Sequence, residues 1–267
     1  LKPDFAYGYN SFSLALIELG QLEDALINIK KAIELKPDYS LAFFNLGFVN
    51  RALGKKKEAL ENLKKAINLN PEYIRAYNVL AVTLVELGRH EEALKYFKKT
   101  ILLDPSYVEA YNNFGNALKE MGRFEEASEN FKNAINLKSD YAEGLNNFGR
   151  LLLLKNNFKK AFDLMEWRLK LDELNFIPLE TSKPRWEGHK DQKVFLLKEQ
   201  GVGDYIMFSS MIPELETNTD KLIVECDQRL LPIFQRSFSK NIKFITDRMQ
   251  LSNNDFDCHI PIGSLPL

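Results

Sequence analysis

PDYSLAFFNLGFVNRALGKKKEALENLKKAINLN, residues 37–70, decides the fold of more than half of this chain, because the sequence on either side keeps the same frame. Prolines fall at 3, 37, 71 and 105, each 34 residues after the last, and Ser139 takes the next slot. Gly20, Gly54, Gly88 and Gly122 keep that period, with Asn156 standing in for a fifth. Ala25, Ala59, Ala93, Ala127 and Ala161 keep it too. A period of this length with small residues at fixed points marks a stacked helix-turn-helix array. Each glycine lies between two apolar-periodic segments, where a left-handed C-cap is needed, and asparagine is the next-best residue there. Each alanine marks a close helix crossing, where a larger side chain would overpack by roughly 1–3 kcal/mol. Leu35, Leu69 and Leu103 close second helices, and the prolines that follow begin new units.

The residues inside the unit carry a family resemblance. Repeat two reads Phe43, Leu46, Gly47, Ala59, Leu63 and Ala66 between Pro37 and Pro71; repeat four reads Tyr111, Phe114, Gly115, Ala127, Phe131 and Ala134. This order resembles the tetratricopeptide repeat and covers five units, about residues 6–171. Repeat five departs late, with Met165 in the aromatic slot and Arg168 in an alanine slot. A terminal unit changes where an array meets something else. The fold class expected is an α-α superhelix over residues 1–171, a connector over 172–192, and a smaller α/β part over 193–267.

An array of this kind presents a concave surface built from its first helices. Asn45, Asn113 and Asn147 share one repeat position there, and Asn10, Asn78, Asn112 and Asn146 share the position before it. An amide offers a donor and an acceptor, the pair an extended peptide backbone needs. The row resembles the asparagine ladder in the repeats of O-linked N-acetylglucosamine transferases, which implies peptide binding by Asn45, Asn112, Asn113, Asn146 and Asn147. The other reading is a solvated groove, since Ser11 and Val79 interrupt the ladder in repeats one and three. Tyr7, Tyr77 and Tyr111 read as repeat packing.

Composition excludes several classes. A net charge of −1 gives no electrostatic case for nucleic acid or an anionic membrane. Three histidines and two distant cysteines, Cys226 and Cys258, build no metal or disulfide framework, so no metal site is expected. The cysteines fit a reducing compartment. No apolar run is long enough to span a bilayer, and no signal-peptide pattern opens the chain. The expectation is a cytoplasmic protein whose partner is a polypeptide. Leu1-Lys2-Pro3-Asp4 looks like the tail of an earlier repeat, so the true N-terminus is expected to lie upstream.

Beyond the repeats the rhythm changes. Pro178 and Pro184 break helix in the connector, while Trp186 and Gly188 mark it as ordered and packed. KVFLLKEQGVGDYIMFSSMI, residues 193–212, then reads as a strand, a glycine turn and a helix. Val194 to Leu197 is a continuous apolar run, as a strand covered on both faces has. Gly201 and Gly203 bracket a turn that must approach something closely or take positive φ. Asp204 stands where the helix N-cap belongs. Further strands are expected over 222–224, 242–245 and 256–260, with a helix over 230–238, giving a parallel sheet the size of half a doubly wound domain.

The turn starts a G-x-G-x-x-G pattern, but Ile206 occupies the third glycine position, which counts against a dinucleotide site although Glu225 lies about twenty residues on. Neither a P-loop nor a G-x-S-x-G elbow is present. An ordered motif set fits better: Glu166-Trp167-Arg168, Pro184 to Gly188, Glu199-Gln200-Gly201-Val202-Gly203-Asp204, Glu225-Cys226-Asp227, Arg229-Leu230, Arg236-Ser237-Phe238, and Pro261 to Pro266. From about residue 161 this set resembles bacterial proteins that join tetratricopeptide repeats to a heptosyltransferase-like glycosyltransferase domain of the two-lobed GT-B type. The resemblance implies the Rossmann-like N-terminal lobe of such a fold, truncated before the second lobe. It implies Asp204 as catalytic base and Glu199, Gln200, Gly201 and Gly203 as an acceptor loop. Relatives carry an acidic or small polar residue where this chain has Tyr205. The nucleotide-sugar donor would belong to the intact protein, and no cofactor is expected on these residues alone. The other function class is a non-enzymatic scaffold with an α/β cap.

Overall fold

The computed structural model describes residues 5–171, 178–199 and 201–265. Pro3 and Gln200 lie outside the described residues, as does Pro266. Contacts divide the chain into Leu1–Leu151 and Leu152–Leu267.

The first unit is a run of antiparallel helix pairs. α1 (Ala6–Glu18) pairs with α2 (Leu22–Leu35), α3 (Ser40–Ala52) with α4 (Lys56–Leu69), α5 (Ile74–Val85) with α6 (His90–Leu103), and α7 (Val108–Glu120) with α8 (Phe124–Leu137); α9 (Ala142–Leu154) follows. The second helices end on Leu35, Leu69 and Leu103, as their patterning predicts. Gly20, Gly54, Gly88 and Gly122 hold φ of 73° to 76°, and Asn156 takes the same left-handed state at 57°. The two bonds of a Schellman cap form at each end of the series. Gly20 N donates to Ile17 O and Gln21 N to Leu16 O; Asn156 N donates to Leu153 O and Asn157 N to Leu152 O.

The periodic alanines Ala25, Ala59, Ala93 and Ala127 are 0% exposed. Between paired helices, two glycines leave no room for a side chain. A Cβ on Gly47 would lie 2.7 Å from Leu63 Cγ, and one on Gly115 would lie 2.8 Å from Phe131 Cε1. Leu16, Ala25, Ile29, Ala32, Ala42, Leu46 and Val49 make one buried cluster, so α2 packs on the helices both before and after it. No helix among the described residues is long and apolar enough to cross a membrane.

The second unit opens with α10 (Phe158–Met165) and a 3₁₀ turn (Glu166–Lys170). β1 (Lys193–Leu197), β2 (Lys221–Glu225), β3 (Lys243–Ile245) and β4 (Cys258–Pro261) form a parallel sheet in the order β3-β2-β1-β4. Val194 pairs with Leu222 on one side and Cys258 on the other. α11 (Val202–Ser209), α12 (Ile212–Thr217) and α13 (Leu231–Ser237) complete the unit. Val194 and Leu196 enter one core cluster with Tyr205, Phe208, Ile212, Leu215 and Phe234; Phe195 and Leu197 enter another with Ile223, Ile245 and Phe256. β1 is therefore covered on both faces, which is why its sequence does not alternate. The connector adds to the sheet edge, with Trp186 N donating to His259 O and His259 N to Pro184 O.

Two local expectations need correction. α11 begins at Val202 with Gly201 as its N-cap, so Asp204 is the third helical residue and caps nothing by side chain. Gly201 has φ −77°, Gly203 is not in the left-handed region, and a Cβ on Gly203 would meet nothing within 4 Å. Neither glycine is demanded by conformation or by an internal close approach.

Asn156 is the one left-handed cap in the series without glycine's freedom. Asn156→Gly is expected to stabilise the fold by about 0.5–1 kcal/mol, and Gly54→Ala to destabilise it by roughly 1 kcal/mol. Urea unfolding followed by far-ultraviolet circular dichroism measures both; equal midpoints for wild type and Gly54→Ala would refute the cap argument.

Candidate functional site

The asparagines of the repeats bond to one another. Asn45 Nδ2 donates to Asn10 Oδ1 at 2.8 Å, Asn113 Nδ2 to Asn78 Oδ1 at 3.3 Å, and Asn147 Nδ2 to Asn112 Oδ1 at 3.1 Å. Each bond joins residues 35 apart, tying the first helix of one repeat to the first helix of the next. The remaining pair of positions with this spacing holds Phe44 and Val79, so donor and acceptor are exchanged for apolar residues together. Asn45 and Asn112 are 2% and 0% exposed, which leaves them no face for a peptide. Asn113, Asn146 and Asn147 stay partly exposed. Asn112 also donates to Glu143 Oε1 at 2.9 Å.

Beside the amides runs a second row on the same helices. Leu14, Phe48, Val82, Asn116 and Arg150 share one repeat position, four residues beyond the first asparagine of each helix or its equivalent. Leu14 is 40% exposed and Phe48 36%, and Val82 is partly exposed. Sequence inspection of the asparagines alone passes over this row; the 34-residue frame contains it.

In the second unit the motif residues converge on one buried cluster. Arg168 is 3% exposed, in a slot that other repeats fill with alanine or threonine. Its Nε donates to Glu199 Oε1 at 2.5 Å, and one terminal nitrogen to Glu199 Oε2 at 2.9 Å and Ser264 Oγ at 3.1 Å. The other terminal nitrogen reaches Glu166 Oε1 at 2.9 Å and Met165 O at 3.0 Å. Gly263 N donates to Glu199 Oε2 at 3.3 Å. A Cβ on Gly263 would lie 2.9 Å from the guanidinium and 3.0 Å from Glu199, so this position has no room for one. Arg185 lies 2.5 Å from Glu166 Oε2 and adds a second positive charge to that carboxylate. Burial opposes the charge on Arg168, but the bonds and charge of Glu199, then of Glu166, outweigh it and raise its pKa. Burial likewise opposes ionisation of Glu166, yet the combined pull of Ser264, Arg168 and Arg185 holds its carboxyl below the ordinary value.

Glu199 is thus the partner of Arg168 and offers no open carboxylate to an acceptor. Glu225 is similarly engaged. Its oxygens take Arg248 Nε at 2.9 Å, a terminal nitrogen of Arg248 at 3.0 Å and Lys198 N at 3.0 Å. Tyr205 is 2% exposed, stacks on Phe234 at 5.6 Å between centroids, and donates its hydroxyl to the Glu225 carbonyl. Gly201, Gly203 and Asp204 remain exposed in the first turn of α11, beside Ile206 at 52% and Met207 at 58%.

Comparison with known proteins bears on the repeats. A family model described as TPR repeat matches residues 14–54, 49–88, 81–122 and 115–156, more than half of the chain in all. Among solved structures, YrrB, a TPR protein with an unusual peptide-binding site, is 26% identical with a TM-score of 0.50, over 64% of this chain and 89% of its own. The MamA protein is 23% identical with a TM-score of 0.54, over 65% of this chain and 98% of its own. A thermophilic TPR protein of Thermus thermophilus is 23% identical with a TM-score of 0.56, over 64% of this chain and 93% of its own. No curated protein matches.

The buried cluster gives a stability prediction with its own readout, because both tryptophans, Trp167 and Trp186, lie in the second unit. Arg168→Met is expected to cost about 3–5 kcal/mol, since it strands the Glu199 charge in the interior. Acid acts in the same direction. A carboxyl whose folded pKa is depressed, as at Glu166, stabilises above its ordinary value near 4.5 and loses that contribution as pH falls through the folded value. Tryptophan-detected unfolding should therefore weaken below about pH 4.5. A variant that unfolds at the wild-type midpoint would show the cluster to be energetically idle.

Proposed function

Because the chain belongs to the tetratricopeptide repeat family, we propose that its first unit is a scaffold that holds an extended polypeptide along the surface lined by α1, α3, α5, α7 and α9. The observation that carries this reading is the row Leu14, Phe48 and Val82, the first two exposed and the third partly so, which crosses three successive repeats next to the asparagine pairs. Large apolar side chains at equivalent positions on adjacent first helices give an extended chain a continuous contact. The peptide-binding site of YrrB, at 26% identity, supports the same reading. Asn113, Asn146 and Asn147 are the asparagines with surface left for a bound backbone.

Phe48→Glu tests it. The side chain is 36% exposed, so the fold tolerates the change, while a charge in the middle of the row should weaken peptide binding by about tenfold or more. Fluorescence anisotropy with apolar-rich labelled decapeptides measures this. Equal affinity for wild type and variant would place binding elsewhere.

A second reading concerns the α/β unit. Its parallel order β3-β2-β1-β4 is the one found in the first half of a doubly wound, Rossmann-like sheet. In such sheets ligands sit outside the carboxyl ends of the strands, where the order reverses, here between β1 and β4. The motif residues Glu166, Arg168, Arg185, Glu199, Gly263 and Ser264 meet beside that point, as an ordered set in a heptosyltransferase-like lobe would. On this reading the intact protein transfers a sugar to an acceptor hydroxyl, and Asp204, exposed after β1, takes the hydroxyl proton. Gly201 and Gly203 then matter for what approaches them from outside. Asp204→Asn is expected to shift stability by less than about 0.5 kcal/mol and to abolish transfer by the full-length protein. Wild-type turnover from the asparagine variant would remove Asp204 from the chemistry.

A further inference from the structure

Neither functional reading uses the histidine of β4, yet the connector meets the outer edge of that strand through it. His259 N donates to Pro184 O at 3.1 Å, and Trp186 N donates to His259 O at 2.9 Å. Arg185, between those two bonds, is bridged in parallel to His259, so their side chains leave the same face side by side. The imidazole adds a third tie, because its ring donates to the Lys183 backbone. One residue of the strand therefore holds Lys183, Pro184 and Trp186 together. Arg185 extends the hold to the 3₁₀ turn through Glu166, and Trp186 packs against the core that lies under α11.

This arrangement suits a neutral ring and opposes a charged one. His259 Nδ1 is buried and has no hydrogen-bond partner. In the neutral imidazole, with the other nitrogen donating to Lys183, Nδ1 carries only a lone pair; protonated, it becomes a second donor that faces no acceptor. The charges that act on the ring are both positive: Arg185 from the connector and Arg248 from the turn after β3. The acids nearby are already engaged. Glu166 takes Arg168 and Arg185, Glu225 takes Arg248 and Lys198 N, and Asp257, on the approach to β4, takes Lys193 N at 2.9 Å. Burial first, then the Arg185 charge, hold the imidazole below its ordinary value of 6.5, against the upward pull of the Lys183 bond. A histidine that binds its proton more weakly when docked than when free stabilises docking fully above its ordinary value, and that contribution is lost as pH falls below it.

We propose that the edge between the connector and β4 is an acid-released clasp in which His259 is the proton sensor. Protonation sets a third positive charge beside Arg185 and Arg248, and the strain is relieved when Lys183 to Trp186 leave the strand. Release uncovers the outer edge of β4, with the His259 N–H and C=O open to another partner. The Arg168 cluster contains no histidine, so Arg168, Glu199 and Ser264 keep the last helical turn on the sheet while the connector edge opens.

The test uses the whole chain with Trp167→Phe, which leaves Trp186 as the sole tryptophan. Acrylamide quenching reads its exposure. Between about pH 7.5 and about pH 5 the quenching constant should rise about twofold or more, while far-ultraviolet circular dichroism stays unchanged. His259→Gln should abolish the step, holding one quenching level across the range. Arg185→Gln should shrink it, because one of the two charges that oppose the proton is gone. His189→Gln should leave it intact: this ring is 72% exposed, and only its backbone carbonyl holds the Trp186 indole, at 2.9 Å. A step that survives in His259→Gln, or one that disappears in His189→Gln, overturns the proposal. So does a flat profile in the parent protein, a result that needs no variant of His259 to fold. A rise in quenching that coincides with loss of the circular dichroism signal also overturns it, since the acid would then be unfolding the unit and not opening one edge.

Discussion

Two helices can cross closely only where one side chain is nearly absent, and the first unit depends on that constraint. Ala25, Ala59, Ala93 and Ala127 are fully buried, and the space over Gly47 and Gly115 belongs to Leu63 and Phe131. Close crossing lets the second helix of one repeat also pack on the first helix of the next, so no single pair has to bury its apolar surface alone. The left-handed caps follow from the same demand. A helix that must turn back at once onto its partner needs a residue that accepts positive φ, and glycine accepts it without strain. The 34-residue period is therefore one geometric requirement, met again in every unit.

Stacking by apolar contact alone leaves successive units free to slide in register. The amide pairs restrict that freedom. A buried asparagine oxygen that loses its donor costs about 1–3 kcal/mol, so Asn10, Asn78 and Asn112 each favour the stacking register that presents the next asparagine. The exchange of both partners at Phe44 and Val79 fits this account, because removing donor and acceptor together strands neither. It also separates two roles that share one surface. The buried amides hold the repeats, and the row beside them, from Leu14 to Arg150, keeps side-chain surface open.

Much of this was legible in the chain, for a reason particular to each feature. Positive φ at Gly54 or Asn156 and small volume at Ala59 are local demands, and the sequence records them at fixed spacing. β1 and β2 were visible as apolar runs because a sheet covered on both faces leaves no polar residue to interrupt them. The start of α11 is not legible in the same way: an aspartate in the first turn resembles a cap, yet Gly201 takes that place and Asp204 is the third helical residue. The partners of Arg168 were illegible, since they stand 31 and 96 residues away and depend on how the sheet is wound. The signal that existed was compositional, an arginine in a column of small residues.

That arginine also explains where the repeats stop. α8 runs 14 residues, as do the second helices before it, but α10 runs only 8 before tightening into a 3₁₀ turn at Glu166. Alanine in this column allows another helix to approach; a guanidinium cannot be buried in such a crossing without acids to receive it. Glu166 and Glu199 receive it, one from its own turn and one from just beyond the end of β1. The residue that ends the repeat pattern is thereby the residue that fastens the last helical turn to the parallel sheet. Gly263 and Ser264, after β4, complete the enclosure with a backbone amide and a hydroxyl. A single substitution in the repeat frame has become the central contact of the second unit, and it is made where the strand order reverses, at the carboxyl ends of β1 and β4.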